Sequence, residues 1–148
     1  MTRFFPDDDA VARIARGMMG RTLPKADWTH AAHFAAALCL LRDRPLAAVA
    51  ADMPGLIRAY NASVGGENTD TAGYHHTITL ASLGAAHEFL GRYPTDHALH
   101  QIVDDLMASP LGRPDWLLDY WSKARLISAE ARRSWREPDL KVFPHEVG

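Results

Sequence analysis

Asp27 to Leu41 reads DWTHAAHFAAALCLL. Alanine and leucine are among the strongest helix formers, and the run has neither proline nor glycine. It predicts a helix from about Lys25 to Arg42 that is apolar over most of its surface, the pattern of a central helix. Two histidines, His30 and His33, stand three residues apart near its start. Residues i and i+3 lie on nearly one face of a helix, and the same face continues through Phe34, Ala37, Leu38 and Leu41.

The rest of the chain extends this helical reading. No segment alternates apolar and polar residues over a useful length, so no strand is predicted. Asp7 or Asp8 can cap a first helix bearing Val11, Ile14 and Met18, which Gly20 ends. Pro45 starts a third helix, in which Pro54 predicts a break or kink; LIRAYNAS resumes it and Gly65-Gly66 stop it. GGENTDTAGYHHT is the longest loop-like segment. Further helices are expected over about Tyr74–Leu90, Asp96–Ala108 and Asp115–Lys123, with a short last one from Ser128 to near Trp135. EPDLKVFPHEVG, about 137–148, has two prolines and no periodicity and reads as an extended tail. The expected fold is all-α, a single helical domain over 1–148 with six or seven helices, neighbours packing antiparallel across short loops.

Composition narrows the function classes. With 148 residues the chain is long enough for a real core, and its formal charge of −2 argues against nucleic-acid binding by bulk electrostatics. The single cysteine, Cys39, allows no internal disulfide and no cysteine-rich metal site. The start, MTRFFPDDDA, does not read as a signal peptide, and no apolar run approaches the roughly 20 residues of a membrane span. A soluble cytoplasmic protein is expected, with no membrane partner. Eight histidines are the one compositional oddity.

His30 and His33 could converge on one metal ion, with Asp27 orienting His30 from behind and Trp28 walling a pocket. The competing reading is that both fill the core. A second group is GYHHT, where Gly73 permits close backbone approach and His75 and His76 begin a helix whose free N–H groups suit an anion. The competing reading there is a Thr71 cap with both histidines solvated. Together His30, His33 and His75 would form a three-His site with an open position, suited to Zn, Ni, Fe or Mn. A third pair, His97 and His100 with Asp104, shares its helix with a buried side of Ile102, Val103 and Leu106. Tyr60, Asn61, Asn68 and Thr69 flank the double glycine as pocket-mouth groups or as bonds that fix the loop. Tyr74 and Thr77 complete the polar set, and WLLDYW reads as core or as a homodimer face.

The strings WTHAAHFAAAL, RAYNASVGGENTDTAGYHHTIT and ISAEARRSWREPDLKVFP resemble an uncharacterised family of small, all-helical bacterial proteins. That family carries Trp-x-His-x-x-His, Tyr-Asn…Asn-Thr…Gly-Tyr-His-x-Thr and Glu-Pro-Asp-Leu elements. The matching positions are Trp28, His30, His33, Tyr60, Asn61, Asn68, Thr69, Gly73, Tyr74, His75 and Thr77, and the resemblance spans Trp28 to Leu140. It implies a bacterial helical protein in which His75, not His76, is the family's histidine, and it implies no activity. By analogy only, the arrangement is also similar to DinB-like bundles, which build a three-His metal site between helices with a different spacing. Two functions are expected from these readings. One is a metal site that supports hydrolysis or a related transfer. The other is a metal-free module in which the same histidines bond a small, anionic molecule, with a structural homodimer as a further alternative.

Overall fold

The computed structural model describes residues 2–147. Among them the chain forms seven α-helices and no strand. The helices are α1 (Asp8–Met19), α2 (His30–Asp43), α3 (Leu46–Ser63), α4 (His76–Leu90), α5 (Leu99–Ala108), α6 (Lys123–Leu126) and α7 (Ala129–Arg133). Single 3₁₀ turns lie at Lys25–Asp27, Pro110–Gly112 and Trp116–Asp119. None of the helices is long and apolar enough to cross a membrane, among the described residues.

α2 is the central rod. Ala31, Ala32, Phe34–Leu38, Leu40 and Leu41 are buried, so it is enclosed on nearly every side, as its apolar circumference requires. α1, α4 and α5 pack around it. α1 buries Val11, Ile14, Ala15 and Met18 in one stripe and is capped by Asp7, whose carboxylate accepts the Ala10 N–H at 2.8 Å. Direct contact between α2 and α3 is sparse, although they are consecutive. α3 docks instead on α4 and α1.

Four expected boundaries need correction. The predicted helix over Lys25–Arg42 is two pieces: a 3₁₀ turn, then α2 begun by the Thr29 hydroxyl, which accepts the Ala32 N–H at 3.1 Å. A Thr side chain in this role ends the preceding turn and starts a new helix axis. Pro54 does not break α3, which runs through it. The missing N–H removes one helical bond, but Met53 and Tyr60, both buried, hold the two halves against the same core. The expected helix over Asp96–Ala108 begins only at Leu99. The predicted helix over Asp115–Lys123 is a 3₁₀ turn followed by the separate four-residue α6.

The tail is extended as its prolines demand, yet it is fixed to the body. Trp121 Nε1 donates to the Arg136 carbonyl and the Leu140 N–H to the Tyr120 carbonyl, both at 2.9 Å. Phe143 sits among Trp116, Trp121 and Trp135 with ring centroids 5.3–6.2 Å away. Gly84 of α4 lies so close that a Cβ there would come within 2.1 Å of the Glu146 carbonyl oxygen. This aromatic cluster turns WLLDYW inward: Trp116, Leu117 and Trp121 are buried, and Leu118 is its one exposed large apolar residue. Trp116, Leu117 and Trp121 thus follow the core reading of this stretch.

Candidate functional site

The gap between α2 and α3 is a cavity of about 580 Å³. Its floor is apolar: Phe34 and Ala37 of α2, Met53 and Ile57 of α3, Ile78 and Leu83 of α4. Trp28, Trp116 and the Gly66–Tyr74 loop complete the walls, and His30, His33 and His75 all line it. The two histidine-bearing helix starts singled out in the sequence therefore meet at one space.

Their chemistry differs. His75 is the N-cap of α4: its Nδ1 accepts the Ile78 N–H at 3.1 Å. Its Nε2 donates to the Leu126 carbonyl at 2.6 Å. A carbonyl can only accept, so Nε2 carries the hydrogen and Nδ1 the lone pair. Both nitrogens are engaged, the ring is buried, and burial holds the imidazole below its usual range, with Arg132 and His76 adding to the effect. The expected Thr71 cap with solvated histidines is thereby replaced. His75 has no lone pair left for a metal in this arrangement. Among the described residues, no three His, Cys, Asp or Glu side chains are grouped so as to hold a metal ion.

His30 and His33 each keep one nitrogen. His30 Nε2 donates to the Leu111 carbonyl at 2.9 Å, and His33 Nδ1 donates to the Thr29 carbonyl at 2.9 Å. His30 Nδ1 and His33 Nε2 have no protein partner. His33 is accessible to solvent along the cavity, yet protein surrounds it closely enough to push its pKa down to about 4. A ring in a cavity wall is both: open on one side, and desolvated by the mass behind it. Trp28 packs on it with centroids 4.0 Å apart.

The remaining predicted site residues divide between wall and scaffold. Trp28, Asn61 and Tyr74 line the cavity. Tyr74 is buried beneath the Arg58 guanidinium, 4.4 Å from its ring centroid, and shares a 2.8 Å hydrogen bond with His76 Nδ1. Asn68 fixes the loop: its Oδ1 accepts from Tyr74 N–H and from Asn61 Nδ2, and its Nδ2 donates to the Arg58 carbonyl, each at 3.1 Å. Gly73 makes this turn possible. Its φ is +81°, and a Cβ there would fall 1.9 Å from the Glu67 carbonyl oxygen.

Several residues leave the polar set. Asp27 faces Arg13 at 3.8 Å, because the separate 3₁₀ turn carries it off the α2 axis; the partner of His30 is Leu111. Tyr60 is fully buried and its hydroxyl donates to the Leu23 carbonyl at 2.9 Å. Thr77 points to the tail, donating to the Ser134 carbonyl at 2.9 Å and accepting the Arg136 N–H at 3.1 Å. Thr69 is exposed and bonds within its own loop. His100 pairs with Asp8 at 2.6 Å, while Asp104 accepts the Phe4 N–H at 3.0 Å, so the third cluster is divided between two bonds to the N-terminal region.

The cavity also contains residues that the sequence reading passes over. Ser82, Met53 and Ile57 line it too, the first with a hydroxyl that has no hydrogen-bond partner in the protein. His75, Thr79 and Ser82 are spaced i, i+4, i+7, and Met53, Ile57 and Asn61 are spaced i, i+4, i+8. Each set is one helix face, a signal present in the sequence. No protein-family model, curated protein or solved structure matches the chain.

Proposed function

We propose that this chain is a small-molecule-binding module whose ligand occupies the cavity between α2, α3 and α4. The observation that carries this reading is the pair of half-engaged imidazoles, His30 and His33, on the wall of a cavity of about 580 Å³ that is otherwise largely apolar. Ligand sites combine a volume of roughly 300–1,000 Å³ with apolar walls and a few polar groups. The carbonyls of Leu111 and Thr29 hold the two rings in place before any ligand arrives, which lowers the ordering cost of binding. His33 is neutral at pH 7, which weighs against the anionic ligand expected from the sequence.

A ligand screen by thermal shift and ligand-detected NMR on untagged protein tests the reading. Ligands that bind the wild type and are lost in Ala37→Leu, which fills the cavity floor, are expected. Absence of hits, or hits indifferent to that substitution, would overturn it.

A second reading is a divalent-metal site (Zn, Ni, Fe or Mn) supporting hydrolysis or a related transfer. The shared cavity favours it. The two bonds of His75 oppose it, since coordination there requires giving up the α4 cap or the Leu126 contact. Metal analysis after loading separates the readings. One equivalent retained by the wild type and lost in both His33→Phe and His75→Asn would promote the metal site. Retention of no metal would remove it.

A further inference from the structure

The hydrogen-bond partners of the cavity fix the polarity of what it can receive. His30 and His33 both donate to backbone carbonyls, so in an uncharged imidazole the nitrogen that remains, Nδ1 of His30 or Nε2 of His33, carries a lone pair. Asn61 adds a third acceptor by a chain of necessity. The Tyr74 N–H can only donate, which assigns the Asn68 atom facing it as Oδ1. That oxygen requires a donor from Asn61, so Asn61 turns its Nδ2 inward to the loop and leaves its Oδ1 unpartnered. Ser82 can act either way. Lys25 and Glu67, the two charged residues of the lining, are opposite in sign. The walls themselves are aliphatic and aromatic: Met53, Ile57, Ile78, Trp28 and Trp116.

We propose that the ligand is an uncharged molecule with an apolar, ring-sized body that presents hydroxyl or N–H donors to His33 Nε2, His30 Nδ1 and Asn61 Oδ1. The inference rests on the binding-module reading above and adds its chemical class. A carboxylate or phosphate would set its own lone pairs against these acceptors, and an acceptor-only ligand would leave them unpaired. The neutral state of His33 at physiological pH keeps its acceptor available.

Three probes of one skeleton test this: 2-naphthol, 2-methoxynaphthalene and 2-naphthoate, each titrated into the full chain at pH 7 by NMR and calorimetry. The expected order places 2-naphthol about tenfold or more tighter than either of the others, the scale of one unsatisfied buried hydrogen bond. In His33→Phe, which keeps a ring against Trp28 but removes the acceptor, the preference for naphthol over methoxynaphthalene is expected to shrink while naphthalene-core binding persists. Equal binding of all three, or tighter binding of naphthoate, would overturn the donor rule and leave the binding module standing. Failure of all three to bind at millimolar concentration would overturn the donor rule for ring-sized bodies, and the screen described above then decides the module by itself. Long-range ¹H–¹⁵N spectra supply a ligand-free check: His33 is expected as the Nδ1–H tautomer and His30 as Nε2–H. The opposite tautomer at either ring would overturn the assignment.

Discussion

At the start of α4 one histidine has both ring nitrogens engaged with backbone, and at the start of α2 two histidines have one each. All three border the same cavity. His75 satisfies an orphan helix N–H and a carbonyl from a distant segment, which is what a residue of the scaffold does. His30 and His33 lie in the first turn of a helix already capped by Thr29, so no backbone donor claims their second nitrogen. The same side chain is structural or available depending on whether the helix start already has a cap. Substitutions on the two sides should therefore separate stability from binding.

The largest expected effect lies on the α4 side, in the turn that delivers His75. Gly73→Ala combines a φ of +81° with a Cβ placed 1.9 Å from the Glu67 carbonyl oxygen. The loop must rearrange, and a loss of about 3 kcal/mol or more in urea unfolding is expected. An effect below about 1 kcal/mol, within the ordinary scatter of mutations, would mean that the turn does not hold α4 in register.

His75→Ala comes next. It removes the α4 cap and leaves the Leu126 carbonyl unpaired in a buried site, together a loss of about 2–3 kcal/mol. His75→Asn restores the cap chemistry but not the reach to Leu126, so about 1 kcal/mol is expected back. If the alanine variant were as stable as the wild type and had lost a ligand or a metal instead, the contrast between the two helix starts would be broken.

Acid should expose the same contrast. For His33 the folded pKa of about 4 lies below the ordinary 6.5. Between those values the unfolded chain takes up a proton that the folded chain refuses. The stability held above pH 6.5 is thus lost progressively as pH falls toward 4. His75 shifts in the same direction, because burial disfavours its charged form; a proton on Nδ1 would also eject the Ile78 N–H. Denaturation midpoints measured from pH 7.5 to 4.5 are expected to fall, less steeply in His75→Asn and in His33→Phe. A flat profile in the wild type would contradict the desolvation of His33 in the cavity wall and the burial of His75.

How much of this was legible in the sequence depends on what holds each element. α1 and the bodies of α2 and α4 were readable because length and alanine and leucine content agree within each of them. α6 and α7 have four and five residues; helices that short exist only through tertiary contacts, here to the tail and to the loop before α4, and local sequence has no access to those. Pro54 misleads for the same reason, since the core outweighs a local penalty. At the site, WTHAAH and GYHHT stand out because their polar residues interrupt apolar helices, but that they meet is a tertiary fact visible only in the shared cavity. The role of His75 does not stand out either, because Ser, Thr, Asp and Asn are the caps that sequence reading seeks. Met53, Ile57 and Ile78 look like any core residue, and only the sparse contact between α2 and α3 makes them a wall.

The smallest expected change in stability falls on His33. His33→Phe keeps a flat ring against Trp28 and loses the bond to the Thr29 carbonyl, but that carbonyl also accepts the His33 backbone N–H at 3.0 Å. The carbonyl stays paired, so no orphaned group is created, and the change in unfolding free energy should stay within about 0.5–1 kcal/mol. The effect on binding should be the reverse, since a cavity-lining ring loses its one unpartnered nitrogen. A cycle with His75→Asn makes the distinction quantitative. His75→Asn should change stability with little change in naphthol affinity, and His33→Phe should change affinity with little change in stability. If His33→Phe cost as much stability as His75→Asn, His33 would belong to the scaffold, and the cavity would lose its principal polar contact.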